Sequence, residues 1–558
     1  MMNWKSEKLT SILLLITLLL LVINVNYYLS DLVARVDLTK DMRYSLSSFS
    51  EELLREIPEP VYIDVYLTGN LPPSFKKLQN AIKEQLQIFQ TFAGNKIQYQ
   101  FINPDMVKSD KAKKELMVRL SNLGIQPTNI YDKDGGEKTE KLIFPGAVLH
   151  YQGQMKGVLL LKGSQTESPQ QRLNQSAENI EYELINAIDM MVNPSQKRIA
   201  LLGDHGELTS GPEIAGLRES LSEKYQVEVV KTDASINQFD GLMIIKPKDK
   251  FSDADKFFID QYVMNGGRVM FLLEGVNADI DSITSESSFA FPVEHDLLSL
   301  LFKYGIRVNH DLVQDINGSP FPVVVGNVGN QPQVRLLPMP FLPMISNFND
   351  HAITKNLDLV NARFISSLDT VKAIGIKKIP LFFTSQYARI LNAPIDISLN
   401  RLREDAKPES FNQGPVPLAY LLEGEFTSLF NNRFLPEGFQ ASDWKKKGKS
   451  KMVVIGDGDI AVNSVDPQSG NPYELGYNPY TREKYANAEL ITNAWTYLLD
   501  EQIFQAREKS FQLRLLDKVK VEEQKAFWQI INILMPILLI LAFAVTRYFI
   551  IRKKYTGH

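Results

Sequence analysis

Strands and helices alternate between Lys197 and Glu274, and this alternation constrains the fold more than any other feature of the sequence. The apolar run 198–202 is too short for a helix and ends at Gly203, where a buried parallel strand would turn. A helical pattern follows over 214–225, and Ser252 begins a second one as its N-cap. Both helices are flanked by further apolar runs, at 227–230, 241–245 and 268–273. The pattern predicts an α/β fold with a parallel sheet covered by helices on both faces.

The region before this stretch predicts a smaller α/β domain over residues 31–193. A capping box at Ser48 indicates a helix that ends before Pro58. Apolar segments on either side of Gln152-Gly153 predict a β-hairpin over 141–161. The other predicted elements are strands at 61–67 and 97–102 and helices at 75–92, 108–123 and about 176–192.

After Glu274 strands and helices no longer alternate regularly. We therefore expect the main α/β domain, residues 194–501, to carry an irregular β insertion at about 285–450. A helix is predicted at 295–302, followed by a strand at 304–308 that pairs with Leu312-Val313. Residues 317–342 are rich in Pro, Gly and Val, which indicates irregular β structure. Further strands are predicted at 378–383 and 416–422. A buried strand at 452–455 and a helix at 487–499 resume the alternation of strand and helix and predict completion of the same sheet.

Both ends of the chain carry long apolar segments. Residues 9–29 are long enough to span a bilayer, and we interpret them as an uncleaved anchor rather than a cleaved signal peptide. Residues 527–551 form a second predicted span, preceded by a charged helical stalk at 502–526. Basic residues flank both spans on their terminal sides, which predicts cytoplasmic termini, residues 1–8 and 552–558. The bulk of the chain would then lie in the periplasm of a bacterium, held by the inner membrane.

Composition excludes several classes of function. The 558 residues are enough for about three folded units. The net charge of −4, from 61 basic and 65 acidic residues, gives no electrostatic argument for binding nucleic acid. The chain has no cysteine, which excludes disulfides, thiolate catalysis and cysteine metal sites.

Two short acidic motifs follow predicted strands and are the candidate ligand-binding residues. Asp204, His205 and Glu207 lie at the carboxyl end of the first strand, where open α/β sheets bind ligands. Asp457 and Asp459 follow the last strand. Neither motif has a convergent metal-binding partner such as HExxH or a calcium-loop pattern, so structural turns are the favoured interpretation, with no metal and no cofactor.

Other signatures of catalysis are missing from the sequence. Gly448-Lys-Ser450 is not a phosphate-binding loop, because Asp443 stands where that motif needs a glycine. No G-x-S-x-G nucleophile elbow occurs. Asn532 and Pro536 interrupt the second span, and we interpret them as contacts with another membrane helix.

The order of these motifs resembles the ABC-transporter auxiliary family, and within it the gliding-motility-associated "substrate-binding" auxiliary proteins of Bacteroidetes. The resemblance covers essentially the whole chain. It is carried by Arg35-Val-Asp-Leu-Thr39 with Arg43-Tyr44, by Gly203–Glu207, by the helix end Asp260–Gly267, by Gly456–Asp459, and by the C-terminal span. Arg35, Asp37, Thr39 and Arg43 are either a salt-bridged turn or a docking contact for a partner.

The resemblance implies a flavodoxin-like sheet of the class I glutamine-amidotransferase type. Members with that activity use a cysteine nucleophile, so the chemistry does not carry over to this chain. What it implies instead is a non-catalytic accessory subunit beside an ABC permease and a separate cytoplasmic ATPase, with two copies per complex. Two alternatives stay open: a tethered periplasmic enzyme that uses Asp204, His205 and Glu207 on a cell-wall or sugar substrate, and a purely structural scaffold.

Overall fold

The computed structural model describes residues 45–107, 109–134, 137–163, 167–278, 280, 283, 288–328, 331–398, 408–440, 444–507 and 518–555, with six further positions between 13 and 24. These six positions are helical. The predicted first span otherwise lies outside the described residues, as do Arg35, Asp37, Thr39 and Arg43.

Secondary structure in the described residues is mixed α and β. The helices are α1 (Ser48–Glu56), α2 (Pro73–Ala93), α3 (Asp110–Asn122), α4 (Pro169–Val192), α5 (Ala215–Ser222), α6 (Asp253–Met264), α7 (Leu298–Tyr304), α8 (Asn487–Leu499) and α9 (Lys518–Tyr555). The strands are β1 (Val61–Val65), β2 (Ile97–Phe101), β3 (Thr128–Asp134), β4 (Glu137–Ile143), β5 (Gly146–Tyr151), β6 (Gln154–Leu159), β7 (Arg198–Leu202), β8 (Gln226–Val230), β9 (Gly241–Ile245), β10 (Arg268–Leu272), β11 (Val276–Asn277), β12 (Phe289–Pro292), β13 (Ile306–Val308), β14 (Asp311–Asp315), β15 (Gly318–Val328), β16 (Gln331–Ile345), β17 (Asn347–Phe348), β18 (Val360–Asn361), β19 (Leu368–Thr370), β20 (Ile376–Phe383), β21 (Ala388–Asn392), β22 (Ile395–Asp396), β23 (Pro417–Thr427), β24 (Lys447–Ile455), β25 (Tyr477–Asn478) and β26 (Glu483–Lys484).

The N-terminal α/β elements form a four-stranded sheet in the order β2-β1-β5-β6. Strands β1 and β2 are parallel, and β5 and β6 form the predicted hairpin across Gln152 and Gly153. Helices α2 and α4 pack on one face, with Ile82, Phe89 and Leu184 fully buried against the strands. The first helix is capped by Ser47 rather than by the predicted Ser48, because the Ser47 hydroxyl accepts from the Ser50 N–H.

The largest sheet has eight strands in the order β17-β20-β23-β24-β10-β9-β7-β8. Strands β24, β10, β9, β7 and β8 are parallel to one another, which confirms the predicted parallel sheet and places the predicted strand 452–455 in it. The remaining strands extend the sheet in antiparallel fashion. Part of the expected irregular insertion therefore belongs to the main sheet, because β20 and β23 continue its hydrogen-bonded ladder.

Helices cover both faces of this sheet, as predicted. Side chains of β7, β9 and β10 alternate between the faces, so Leu201 packs towards α5 and α8 while Leu202 packs towards α6. Burial on both faces explains why these strands read as unbroken apolar runs. Helix α6 begins at the predicted N-cap, with a complete capping box between Ser252 and Asp255.

The predicted pairing of the strand at 304–308 was wrong. Strand β13 pairs with β19, not with Leu312-Val313, and β14 pairs with β21. Residues 317–342, expected to be irregular, form most of a long antiparallel hairpin between β15 and β16 with two register shifts. The hairpin belongs to a three-stranded sheet in which β15 is an edge strand and β16 pairs with β18 only at Met344 and Ile345. Most of its prolines therefore lie where a missing N–H is tolerated.

The first residues of the predicted stalk pack differently from the prediction, and residues 508–517 of it lie outside the described residues. Residues Glu501–Arg507 form a 3-10 helix whose Ile503, Phe504 and Arg507 side chains are buried against the globular region. Helix α9 begins at Lys518, and residues 524–550 within it are apolar and long enough to cross a membrane. The segment from Gln502 to Arg507 thus packs on the body of the protein instead of projecting from it.

Candidate functional site

Charged residues follow directly after four neighbouring parallel strands at the carboxyl edge of the main sheet. Asp204 and Glu207 follow β7, Lys246 follows β9, Glu274 follows β10, and Asp457 follows β24. Parallel strands end at the same edge, so these groups are brought together by topology. They form two clusters with different chemistry.

The first cluster surrounds His205 in the loop after β7. The His205 Nδ1 atom lies 3.0 Å from Asp204 Oδ1 and 3.7 Å from Glu207 Oε1, and its Nε2 atom lies 3.1 Å from Asp255 Oδ2. Asp204 also accepts hydrogen bonds from the Thr232 N–H and hydroxyl, at 2.9 and 2.7 Å. Burial raises the pKa of the Glu207 carboxyl. The predicted residues Asp204, His205 and Glu207 are therefore in contact, with Asp255 as a partner that the sequence did not indicate.

The second cluster surrounds Lys246, whose Nζ atom lies 2.6 Å from both Glu274 Oε1 and Asp459 Oδ1. Asp457 accepts hydrogen bonds from the N–H groups of Asp459 and Arg363 at 2.6 and 2.7 Å. The predicted pair Asp457 and Asp459 thus meets two residues that were not predicted.

Close packing accounts for the two glycines in the loop after β24. A Cβ atom at Gly458 would overlap the Lys246 side chain, and one at Gly456 would overlap the backbone of Ser366. Only glycine permits both close approaches. Gly458 is therefore required by the packing of Lys246, and Gly456 by the close approach of the Ser366 backbone.

Burial and mutual repulsion set the protonation of the second cluster. Burial, together with the neighbouring charge of Asp459, raises the pKa of Glu274 to about 8 and that of Asp457 to about 7. Burial would lower the pKa of Lys246, but the charges of Asp459 and Glu274 outweigh it and hold the pKa above its ordinary value. Lys246 is therefore a fixed cation among three carboxyls, two of which can hold protons near neutral pH.

The sequence did not predict Lys246 and Glu274 as site residues, because each is a single charged residue after an apolar run. The available signal was positional: a charged side chain directly after a buried parallel strand lies at the ligand-binding edge. Asp255 carried no such signal, since its place in the sequence identifies only a helix cap.

The predicted partner-docking residues are distributed differently. Asn532 and Pro536 lie within α9 on its apolar stretch, with exposed side chains. The other four, Arg35, Asp37, Thr39 and Arg43, lie outside the described residues.

Two solved structures match this chain with low TM-scores. The N-terminal domain of mmIFT52 matches with a TM-score of 0.31 and 14% identity, over 54% of this chain and 97% of that one. An exo-β-1,4-mannosidase, Op5Man5 from an Opitutaceae bacterium, matches with a TM-score of 0.23 and 10% identity, over 59% of this chain and 39% of that one.

Sequence comparison gives clearer relationships. An uncharacterized protein of Borreliella burgdorferi is 23% identical over 493 residues, which cover 85% of this chain and 86% of that protein. Residues 40–150 match a domain of unknown function. Residues 196–494, more than half of the chain and including both charged clusters, match the family described as an ABC-type uncharacterized transport system. The chain belongs to this family of auxiliary proteins of ABC transporters.

Proposed function

We propose that this protein is a non-catalytic accessory subunit of an ABC transporter complex, attached to the membrane by α9. The observation that carries the proposal is that the family match spans the main sheet, in a chain that continues into an apolar helix at 524–550. An ABC transporter needs a permease and an ATPase, and we expect both to be separate polypeptides because this sequence has no phosphate-binding loop.

The geometry of the carboxyl edge supports a binding or coupling role. Lys246 is held by Glu274 and Asp459, and Asp457 accepts two backbone hydrogen bonds. Buried charged groups that compensate one another in this way hold the loops at this edge in one arrangement. The absence of cysteine from the sequence excludes the thiolate chemistry of glutamine amidotransferases.

The finer features of the proposal follow the family resemblance. The sheet of residues 194–501 would be a flavodoxin-like domain of the amidotransferase type, and residues 31–193 a separate domain. Two spans, at 9–29 and 527–551, would hold these domains in the periplasm with both termini in the cytoplasm. The complex would contain two copies of the chain and would serve gliding motility.

The packing of residues 501–507 supports a route for mechanical coupling. Arg507 is buried between α4 and α8, and the membrane helix begins eleven residues later at Lys518. Movement of α9 during ATP hydrolysis would reach the globular region at Arg507. Insertion of a flexible Gly-Ser segment after Arg507 should then uncouple transport from ATP hydrolysis. Unchanged transporter activity in this variant would contradict the coupling.

Co-purification tests the main proposal. A tagged full-length chain, extracted in mild detergent from its native host, should carry along an ABC permease and an ABC ATPase identified by mass spectrometry. The variant Asn532→Leu should recover less permease, because a polar side chain inside a span pairs with another helix. The matched control is Ile533→Leu at the next position, which should recover as much as wild type. Recovery of neither subunit with wild type would refute the proposal.

The rival function is a tethered periplasmic enzyme acting on a cell-wall or sugar substrate. The observation that favours it is the orientation of His205 by Asp255, since an imidazole held by a carboxylate is a common general base. Replacing Asp204, His205 and Glu207 with alanine discriminates between the enzyme and the accessory subunit. Loss of function with an intact fold and intact permease recovery supports the enzyme. Retained function supports the accessory subunit.

A further inference from the structure

We propose that Asp204, His205 and Glu207 bind a divalent transition-metal ion in the loop after β7. Sequence alone favoured a plain turn here, because no second ligand motif was visible. The structure brings the Nδ1 atom of His205 and one oxygen of each carboxylate within 4.8 Å of one another. The inference is independent of the accessory role, since it concerns the isolated chain.

The distances suit a metal centre of this kind. Tetrahedral coordination with bonds of about 2.0–2.1 Å places neighbouring ligand atoms roughly 3.3 Å apart. The observed separations from His205 Nδ1, 3.0 Å to Asp204 and 3.7 Å to Glu207, lie on either side of that value. Small shifts of the side chains would therefore complete the site.

Contacts with Asp255 and Phe251 fix the orientation of the His205 ring. Asp255 is held by the Ser252 N–H at 2.8 Å and in turn contacts the His205 Nε2 atom. An ionised carboxylate only accepts hydrogen bonds, so Nε2 carries the proton and donates it to Asp255. The ring also stacks on Phe251 with a centroid distance of 3.7 Å and an angle of 11°. A histidine that binds a metal through one ring nitrogen usually donates the N–H of its other nitrogen to a carboxylate. His205 and Asp255 have this arrangement.

Glu207 provides an independent indication that a cation belongs here. Its side chain is completely buried, and its Oε2 atom accepts from the His205 N–H at 2.6 Å. Among the described residues, no hydrogen-bond donor reaches its Oε1 atom, which faces His205 Nδ1 across 3.7 Å. A buried carboxylate oxygen without a donor is costly, and a metal ion at this point would satisfy it.

Charge distinguishes this cluster from its neighbour. In the Lys246 cluster, an ammonium group already occupies the position between the carboxyls. Around His205 three carboxylates, those of Asp204, Glu207 and Asp255, have one imidazole as their ion contact within the described part of the chain. The first cluster therefore has an excess of negative charge that a divalent cation would balance.

The donor set selects the kind of ion. One imidazole nitrogen with two carboxylate oxygens suits zinc, manganese or iron(II), whereas magnesium and calcium prefer oxygen ligands alone. Asp204 is the most exposed ligand, with 27% of its side chain accessible, and gives the ion a path from solvent. A water molecule would take the remaining position.

Zinc binding to the full-length detergent-solubilised protein tests the proposal. After treatment with EDTA and desalting, addition of zinc chloride should load about one ion per chain, measured by elemental analysis, and should raise the melting temperature. His205→Gln and Glu207→Gln should each weaken zinc binding at least 10-fold, and Asp255→Asn should weaken it about 10- to 100-fold through loss of support for the imidazole.

His150→Gln is the matched control, because His150 also contacts a carboxylate, Asp64, at 3.0 Å but lies on a different sheet. It should bind zinc as tightly as wild type. If a variant does not fold, cobalt(II) added to wild type provides a second measurement, since a tetrahedral site with nitrogen and oxygen ligands gives strong visible absorption. No stoichiometric zinc in wild type, or tight binding that survives both His205→Gln and Glu207→Gln, would overturn the proposal.

Discussion

The guanidinium of Arg507 lies 3.9 Å from the centre of the Tyr182 ring, and this contact joins the segment before the apolar helix α9 to α4. Arg507 also donates to the Ala352 carbonyl at 3.0 Å and lies 3.7 Å from Glu489. Lys162 bridges Glu183 and Glu489 in the same cluster, at 3.3 and 3.2 Å. The N-terminal elements, the main sheet and the C-terminal segment therefore meet at one buried network of charges.

Replacing Arg507 with alanine should destabilise the protein by about 3 kcal/mol, because it leaves two buried carboxylates with Lys162 as their remaining cation. Arg507→Lys should recover only part of this loss, since an ammonium group cannot stack on Tyr182 as a guanidinium does. The measurement is denaturant unfolding followed by tryptophan fluorescence. Arg433→Ala, at an exposed position, is the control and should stay within about 0.5 kcal/mol of wild type. Equal effects of the two alanine variants would contradict the network.

Lys246→Met should also cost about 3 kcal/mol, because Glu274 and Asp459 would lose the cation between them. Combining it with Glu274→Gln and Asp459→Asn should recover much of the stability, since the buried negative charge is then removed as well. The control is Lys250→Met, because the Lys250–Glu294 ion pair is exposed and contributes little. Thermal unfolding of the four proteins checks the prediction. A triple variant less stable than Lys246→Met alone would show that charge compensation is not the function of Lys246.

Glu274 should make stability depend on pH. Its pKa is raised to about 8 in the fold, so the native protein binds more protons than the unfolded chain between about pH 4.5 and pH 8. Stability contributed by this group is present at low pH and is lost as the pH rises through that window. Lys246, Asp457 and Asp459 face the same carboxyl and are left unchanged in the comparison.

Glu274→Gln isolates this contribution, because glutamine resembles the protonated acid at every pH. Near pH 5 the variant and wild type should have similar melting temperatures. By pH 9 the variant should be the more stable by about 2 kcal/mol or more. A difference between the two proteins that does not change with pH would contradict the raised pKa.

Gly241→Ala should destabilise the main sheet by about 1–3 kcal/mol, because a Cβ atom there would overlap the ring of the fully buried Trp495. Gly326→Ala is a matched control, since a Cβ at Gly326 meets nothing within 4 Å. The melting temperature should fall for the first variant and stay near wild type for the second. A shift in the emission of Trp495 in Gly241→Ala would report the displaced ring directly.

The sequence by itself determined the local elements of this protein. Strands β7, β9 and β10 and helices α6 and α8 were predicted because their signals lie within a few neighbouring residues: unbroken apolar runs, an N-cap at Ser252, and glycines that end elements. The parallel sheet followed from their alternation. The candidate residues Asp204, His205, Glu207, Asp457 and Asp459 were visible because each follows a strand.

Only the tertiary structure decided which distant segments pair. The partners of β13 and β14 lie at least 60 residues away in sequence, and nothing in their local pattern specifies them. The same holds for the charged clusters: Lys246 meets Asp459, and His205 meets Asp255, through the order of strands in the sheet. Arg507 looks like part of a solvated stalk in the sequence, but its aliphatic stem and guanidinium are buried because α4 and α8 bring Tyr182 and Glu489 to it. Interactions between neighbouring residues determined the helices and strands, and the packing of distant elements brought the site residues together.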